Sequence, residues 1–252
     1  MAELLTVKNL IRKYYEGTAE RRVVDNVELK VDEGEFIIVM GASGSGKTSL
    51  LHLIAGIDNP DEGTIQYHHT TDFGQMSETA RAVFRRKNIG IVFQQQCLIP
   101  DLTVYENIML PVMLEGGRLA EVKDTILALC QKFGLREHMK KYPSQLSGGQ
   151  QQRTAILRAV INRPRLLLCD EPTGNLNSAQ SKIVMDMLDE LNKKGQTIIL
   201  VTHDVKIAAR GKRVIYIADG RIAGERRFLE EGLHPITHRE EELINYLQQR
   251  GW

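Results

Sequence analysis

The polar and apolar positions along the chain change period several times, and each change marks an element. "ELLTVKNL" (3–10) and "RRVVDNVELKV" (21–31) alternate or cluster β-forming residues, which predicts strands of an antiparallel edge sheet. "EFIIVM" (35–40) is a continuous apolar run, the pattern of a strand buried on both faces of a parallel sheet. After a glycine-rich stretch, "GKTSLLHLIAG" predicts a helix that stops at Gly56. "PDEG" (60–63) predicts a turn and "TIQY" a short strand, followed by a polar helix over about 77–87 and a strand at "IGIVF" (89–93). From 103 to about 163 the period is helical, broken at "EGGR" and "YPSQLSGG". Strand 166–170, helix 178–194, strand 197–202, a short helix near 204–210 and strands near 213–218 and 221–223 follow. The tail, 225–252, is charged, and "REEELINYLQQ" predicts a short solvated helix. The expectation is an α/β fold: a core with an antiparallel β edge from 1–93 and 164–224, an inserted α-helical lobe from 94–163, and the tail.

Composition narrows the partners. The 252 residues suffice for one α/β domain with an inserted lobe. Lys and Arg number 33 against 32 Asp and Glu, so there is no global electrostatic case for a nucleic acid, and none is expected as a partner. Cys97, Cys130 and Cys169 are far apart, without a CxxC, which argues against a disulfide framework and for a reduced, cytosolic setting. The N-terminal stretch lacks the apolar core of a signal peptide, and no apolar run is long enough to span a membrane.

The chemistry begins at "GASGSGKT" (41–48), which fits G-x-x-x-x-G-K-[ST] between a predicted strand and a predicted helix. Gly41, Gly44 and Gly46 let the backbone turn tightly and aim N–H groups at phosphate oxygens. Ser43, Ser45 and Ser49 lie in or beside this cradle. Lys47 places a charge at the β- and γ-phosphates, and Thr48 offers a hydroxyl to Mg²⁺. These residues predict a P-loop NTPase core. A nucleotide with Mg²⁺ also calls for an acid, and "LLLCDEPTGNLN" (166–177) drives an apolar strand into two of them. Asp170 is the candidate metal ligand, through water, and Glu171 the candidate general base for the attacking water. The histidine pairs 68/69 and 234/238 receive no metal role: the first lies in a polar hairpin region, and Pro235 interrupts the second.

"LSGGQ" (146–150), about a hundred residues beyond Lys47, completes the set. With the cradle and Asp170–Glu171, it makes the chain resemble the nucleotide-binding subunit of ATP-binding-cassette (ABC) transporters over nearly all of residues 4–224. The resemblance implies that ATP and Mg²⁺ are the ligands and that the reaction is ATP hydrolysis. It implies that Tyr14, or its neighbour Tyr15, stacks on adenine. It makes Gln94 the glutamine that senses Mg²⁺ and the attacking water, Glu171 the general base, and His203 in "VTHD" the γ-phosphate contact. Ser147, Gly148 and Gly149, with Gln150, would close the partner subunit's site, as a helix N-terminus suits an anion. The family's pattern has Asp where this chain has Asn177, which keeps size and hydrogen bonding but loses a charge. Weakened closure of the dimer is the hypothesis that follows.

"EPTGN" and "FQQQCLIPDLTVYENIMLPVML" are similar to the branch that serves macrolide export, lipoprotein release and bacitracin resistance. That resemblance implies a homodimer formed on ATP binding, held on the inner face of the cell membrane by an integral permease subunit that contacts residues 94–115. An ATP-driven switch that controls a cell-wall hydrolase or a sensor kinase through a membrane partner would share every one of these residues.

Overall fold

The computed structural model describes residues 2–17, 19–68, 71–228 and 236–249. His69, His234 and Pro235, noted above, lie outside them. The strands are β1 (Glu3–Glu16), β2 (Ala19–Asp32), β3 (Phe36–Met40), β4 (Glu62–Tyr67), β5 (Thr71–Asp72), β6 (Ile89–Val92), β7 (Leu166–Asp170), β8 (Thr197–Thr202), β9 (Arg213–Ala218) and β10 (Arg221–Arg227). The helices are α1 (Lys47–Ile54), α2 (Glu78–Asn88), α3 (Val104–Leu114), α4 (Leu119–Lys132), α5 (Gly148–Val160), α6 (Ser178–Lys193), α7 (Val205–Ala208) and α8 (Ile236–Gln248). The fold is mixed α/β of the P-loop NTPase kind, with an antiparallel sheet and a parallel-rich one. The chain forms two compact units, Met1–Val83 with Thr197–Trp252, and Phe84–Gln196.

In the first unit, β1 and β2 make one long antiparallel hairpin that extends in the order β2–β1–β4–β5. Both strands run further than their apolar clusters predict, because cross-strand pairing continues through the polar tip, from Glu3↔Asp32 to Glu16↔Ala19. The other sheet of this unit has the order β10–β9–β3–β8, with β3 parallel to both β8 and β9. Every residue of β3 and β8 is buried, as their continuous apolar runs require. Met40 pairs with Thr202, so the chain leaves β3 and β8 at the same sheet end. That register sets the cradle and His203 on one edge.

The tail helix departs from the solvated helix expected of its charges. Leu243 and Leu247 are fully buried and Arg239 nearly so. These three recur every four residues and form one face. Arg239 stacks over Phe228 with its guanidinium carbon 5.5 Å from the ring centre, and Tyr246 Oη donates to the Glu225 carbonyl at 3.0 Å. Arg226 pairs with Glu242. Glu240, Glu241 and Glu242, which are part-exposed or exposed, mask this buried stripe in the sequence.

In the second unit, β6 runs parallel to β7, with Val92 opposite Cys169. Helix α3 begins in a capping box: Thr103 Oγ1 accepts from Glu106 N, and Glu106 Oε2 accepts from Thr103 N at 2.8 Å. Thr103 Oγ1 also donates to Glu106 Oε2 at 2.7 Å, and this bond first, with the one from Thr103 N second, holds the Glu106 carboxyl below its usual range. The loop before α3 hangs on Asn107, whose side chain is wholly buried. Its Oδ1 accepts from Ile99 N at 2.9 Å, and its Nδ2 donates to the carbonyls of Ile99, Leu102 and Thr103. One amide thus satisfies a stretch of backbone that has no strand or helix to pair with. Replacing Asn107 with Leu takes this partner from the Ile99 N–H and the Leu102 carbonyl, at about 1–3 kcal/mol for each group left unsatisfied. We expect Asn107→Leu to lower the unfolding free energy by at least about 2 kcal/mol in urea denaturation. A loss within error would show that the loop has other support.

Candidate functional site

The cradle between β3 and α1 is built against the β1–β2 hairpin. The β1–β2 register slips between Arg12↔Val24 and Lys13↔Arg22, which leaves Val23 as the extra residue of a bulge. The Val23 carbonyl abuts Gly46, where a methyl group would come within 2.0 Å of that oxygen. Gly46 also has φ 102° as the residue that opens α1. Gly41 is closed in from the other side, where a methyl would meet the Ile217 carbonyl at 2.3 Å. Lys47 is buried and donates through Nζ to the carbonyls of Gly41, at 2.9 Å, and Ala42, at 2.7 Å. The loop therefore wraps around the lysine ammonium. Ser45 Oγ is buried and has no hydrogen-bond partner among the described residues, the kind of orphan that a phosphate oxygen satisfies. Gly44, Gly46, Lys47, Thr48 and Ser49 line a cavity of about 220 Å³, while Ser43 is exposed at the loop's tip.

The β9–β10 turn completes this wall. Gly220 N donates to Ser45 O at 3.0 Å, and Asp25 N donates to Gly220 O at 2.9 Å. The Asp25 carboxylate accepts from Arg221 Nε at 2.6 Å and Arg22 Nη1 at 3.1 Å. Those bonds, Arg221's first, hold its carboxyl below the usual carboxylate range. Tyr14 lies on the hairpin, part-exposed, with its hydroxyl donating to Asp58 Oδ2 at 3.3 Å and the Arg12 guanidinium 5.2 Å from its ring centre. Tyr15, the alternative, is more exposed, 66% against 43%. His203 is exposed just past β8, and Asp204 caps α7 by accepting from Lys206 N at 2.8 Å.

In the second unit β7 carries four buried residues to Asp170, which is half-buried. Burial first, and the Asp170 charge second, push the Cys169 thiol up, so it stays a neutral packing group. Glu171 has φ 43°, a left-handed conformation that a non-glycine residue adopts at a cost. Its carbonyl accepts from Gly174 N at 3.0 Å, closing a tight turn. A methyl on Gly174 would lie 2.9 Å from Gln94 Nε2 and 3.3 Å from Glu171 Oε2. The structure thus gathers Gln94 and Glu171 over one glycine. Asn175 Nδ2 also donates to Gln94 O at 3.4 Å.

The signature opens α5. Ser147 is its N-cap, in a capping box with Gln150: Ser147 N donates to Gln150 Oε1 at 2.9 Å, and Gln150 N to Ser147 Oγ at 3.4 Å. Gln150 Nε2 also lies 2.9 Å from His138 Nε2. The Gln150 side chain is therefore committed to its own helix and loop, whereas Ser147 and Gly148 are exposed. Gly149 is buried against Gln180 of α6, where a methyl would come within 1.9 Å of Gln180 Oε1. The same Oε1 accepts from Arg153 Nη1 at 3.2 Å, and Gln180 N donates to Asn177 Oδ1 at 2.9 Å. Gln180 thus ties the signature helix to the loop that ends in Asn177. Burial lowers the Arg153 pKa, yet a guanidinium stays charged.

Sequence reasoning overlooked Arg153, Gln180 and Gly174. The N-x-x-Q spacing of Asn177 and Gln180 was a usable capping signal, but nothing in the chain pairs Gln180 with Arg153 before the helices pack. Thr48 in the first unit carries a hydroxyl, and Gln94 and Asp170 in the second carry an amide and a carboxylate oxygen, each a donor of the hard kind that Mg²⁺ takes.

Comparison with known proteins identifies the family. The sequence model of the family described as ABC transporter matches residues 24–174. The uncharacterised ABC transporter ATP-binding protein MJ1508 of Methanocaldococcus jannaschii is 42% identical over 219 residues, covering 87% of this chain and 97% of its own length. The lipoprotein-releasing system ATP-binding protein LolD of Syntrophotalea carbinolica is 40% identical over 224 residues, 88% of this chain and 98% of its own. Two solved structures of the ATP-binding cassette MJ0796 also match. One is a dimeric post-hydrolysis state bound to ADP and Pi, with TM-score 0.83 and 36% identity over 90% of this chain and 100% of the cassette. The other is a dimeric structure described as a bacterial ABC transporter cassette, with TM-score 0.82, 37% identity and the same coverage. With a phosphate cradle, an acid pair at a strand end and a glycine signature capping a helix, the chain belongs to the ABC transporter family as an ATP-binding subunit that hydrolyses ATP.

Proposed function

We propose that two copies of this chain close on ATP, each completing the other's site, and that the cycle of closing and opening drives a membrane permease. The observation that carries the reading is the gathering of Gln94 and Glu171 over Gly174, which joins the candidate general base to the loop expected to face the permease. The dimeric state described for MJ0796 supports the two-copy arrangement, and the name of the LolD relative supports a role in lipoprotein release. Among the described residues no helix is long and apolar enough to cross a membrane. The family match and the LolD relative support a place on the inner face of the membrane, with the subunit held there by its partner. The helical lobe, 94–163, would carry both the permease-facing segment, 94–115, and the signature.

In this mechanism Tyr14 stacks on adenine while the cradle and Lys47 neutralise the phosphates. Mg²⁺, held by Thr48, Asp170 and Gln94 with water, would add positive charge at the β- and γ-phosphate oxygens. Glu171 takes the proton of the attacking water, and its left-handed backbone aims the carboxylate at Gln94's side. His203, at the end of β8, holds the γ-phosphate. Ser147, Gly148 and Gly149 of the second copy offer the N-terminus of α5 to the same phosphate, so a single chain has an incomplete site. Hydrolysis removes the bridging charge and the pair reopens. That motion reaches the permease through residues 94–115, whose loop Asn107 keeps in shape.

Two outcomes test this reading. Glu171→Gln should lower ATP turnover by about 10²–10⁴-fold, as expected for loss of a general base, and should hold an ATP-bound dimer visible by size-exclusion chromatography. Near-normal turnover would remove Glu171 from the mechanism. Asn177→Asp should leave thermal stability unchanged, because Asp and Asn cap helices about equally, and should lengthen the life of the ATP-bound dimer. If dimer lifetime and ATPase rate both stay as in wild type, weakened closure at Asn177 is refuted.

A further inference from the structure

The cradle cavity has a second cationic wall that no motif supplies. Arg21 lines it together with Gly44, Gly46, Lys47, Thr48 and Ser49. Its Nη2 lies 3.4 Å from the Gly44 carbonyl, over the cradle loop itself. Two features of β2 send it there. Arg21 is the direct cross-strand partner of Tyr14, and opposed residues of an antiparallel pair project from the same face. The Val23 bulge lies two residues further on and turns the hairpin against Gly46. Arg21 therefore reaches from the strand position opposite Tyr14 to the cradle loop.

Its neighbours are occupied differently. Arg22 is held by Glu20 and Asp25, and Arg221 by Asp25. Among the described residues Arg21 forms no ion pair with a carboxylate, and its one guanidinium contact is the long bond to Gly44. A carbonyl at that distance is a weak partner for a group with five donors, which a phosphate oxygen would engage far better.

We infer that Arg21 is a nucleotide-binding residue that grips the α-phosphate of the bound nucleotide, between the base on Tyr14 and the β- and γ-phosphates on Lys47. The inference rests on the proposal that the nucleotide lies across Tyr14 and the cradle. Its chemistry is distinct from that of Lys47. A guanidinium at the α-phosphate binds ATP and ADP alike and leaves the terminal phosphate untouched. Arg21 thus raises affinity for both nucleotides in proportion and adds little to the hydrolytic step.

The test is nucleotide affinity, measured on the intact chain by fluorescence competition or calorimetry with ATP and with ADP. Arg21→Gln should raise both Kd values by a similar factor, about 5- to 20-fold, as for loss of a charge-assisted hydrogen bond. It should also flatten the salt dependence of binding. Arg21→Lys should recover part of the loss. Lys30→Gln removes the same charge from the same strand and should leave both values within about twofold, because Lys30 is exposed and pairs with Glu3. The melting temperature of nucleotide-free Arg21→Gln should match wild type. Unchanged Kd values for Arg21→Gln, or equal losses for Arg21→Gln and Lys30→Gln, would overturn the inference, as would a loss of ATP affinity with ADP affinity intact. Lys47→Ala separates the two levels of the argument. If it binds ATP as wild type does, the site reading itself fails, whereas weak binding by Lys47→Ala beside normal binding by Arg21→Gln defeats only the role of Arg21.

Discussion

The Val23 carbonyl stands where any side chain on residue 46 would have to go, and much of the first unit follows from that contact. A methyl there would approach the oxygen to 2.0 Å, inside any tolerated separation, so the position admits only glycine. Because Gly46 takes φ 102°, the chain turns directly from loop into α1, and the helix starts with Lys47 already facing inward. The carbonyls of Gly41 and Ala42 then close on the lysine ammonium. The bulge that positions Val23 belongs to the antiparallel hairpin, and the β9–β10 turn braces the same point through Gly220. The hairpin is therefore part of the cradle's wall and does more than cover a sheet edge.

The second unit solves a different problem, which is to hold acids rigidly at the end of an apolar strand. Four buried residues of β7 anchor Asp170, and the strained turn at Glu171 redirects the next carboxylate towards Gln94. From there the chain passes through Asn177 into α6, and Gln180 connects that helix to the signature helix through Arg153 and Gly149. A displacement of the signature helix is thus felt within a few residues of the acid pair. Asn177 meets its structural duty as a cap without a charge, which separates its role in folding from any role between copies.

Much of this was legible in the sequence, for physical reasons. The strands at 166–170 and 197–202 fell where expected because a continuous apolar run flanked by polar residues has few other solutions. The cradle was legible as a motif because it is local, with residues 41–46 forming one loop that runs directly into α1 at Lys47. What stayed hidden depends on register and packing. "ERRVV" gives no sign that Arg21 faces the cradle while Arg22 turns to Asp25, because a bulge and a pairing register decide it. Asn107 reads as an ordinary polar residue within a helical period, yet it is fully buried and holds the loop before α3. The tail reads as solvated because charge dominates its composition, whereas the three buried positions at four-residue spacing dock it.

The central claim is that each site is completed by a second copy, and subunit mixing tests it most directly. Lys47→Ala spoils the cradle, and Ser147→Arg spoils the signature. Each variant alone should be nearly inactive. Mixed together, the two form a pair in which the Ser147→Arg chain's intact cradle faces the Lys47→Ala chain's intact signature. The account predicts that ATPase activity returns on mixing and rises with the fraction of mixed pairs. If the mixture stays as inactive as its components while mixed dimers form, or if either variant alone is fully active, the shared-site account is wrong.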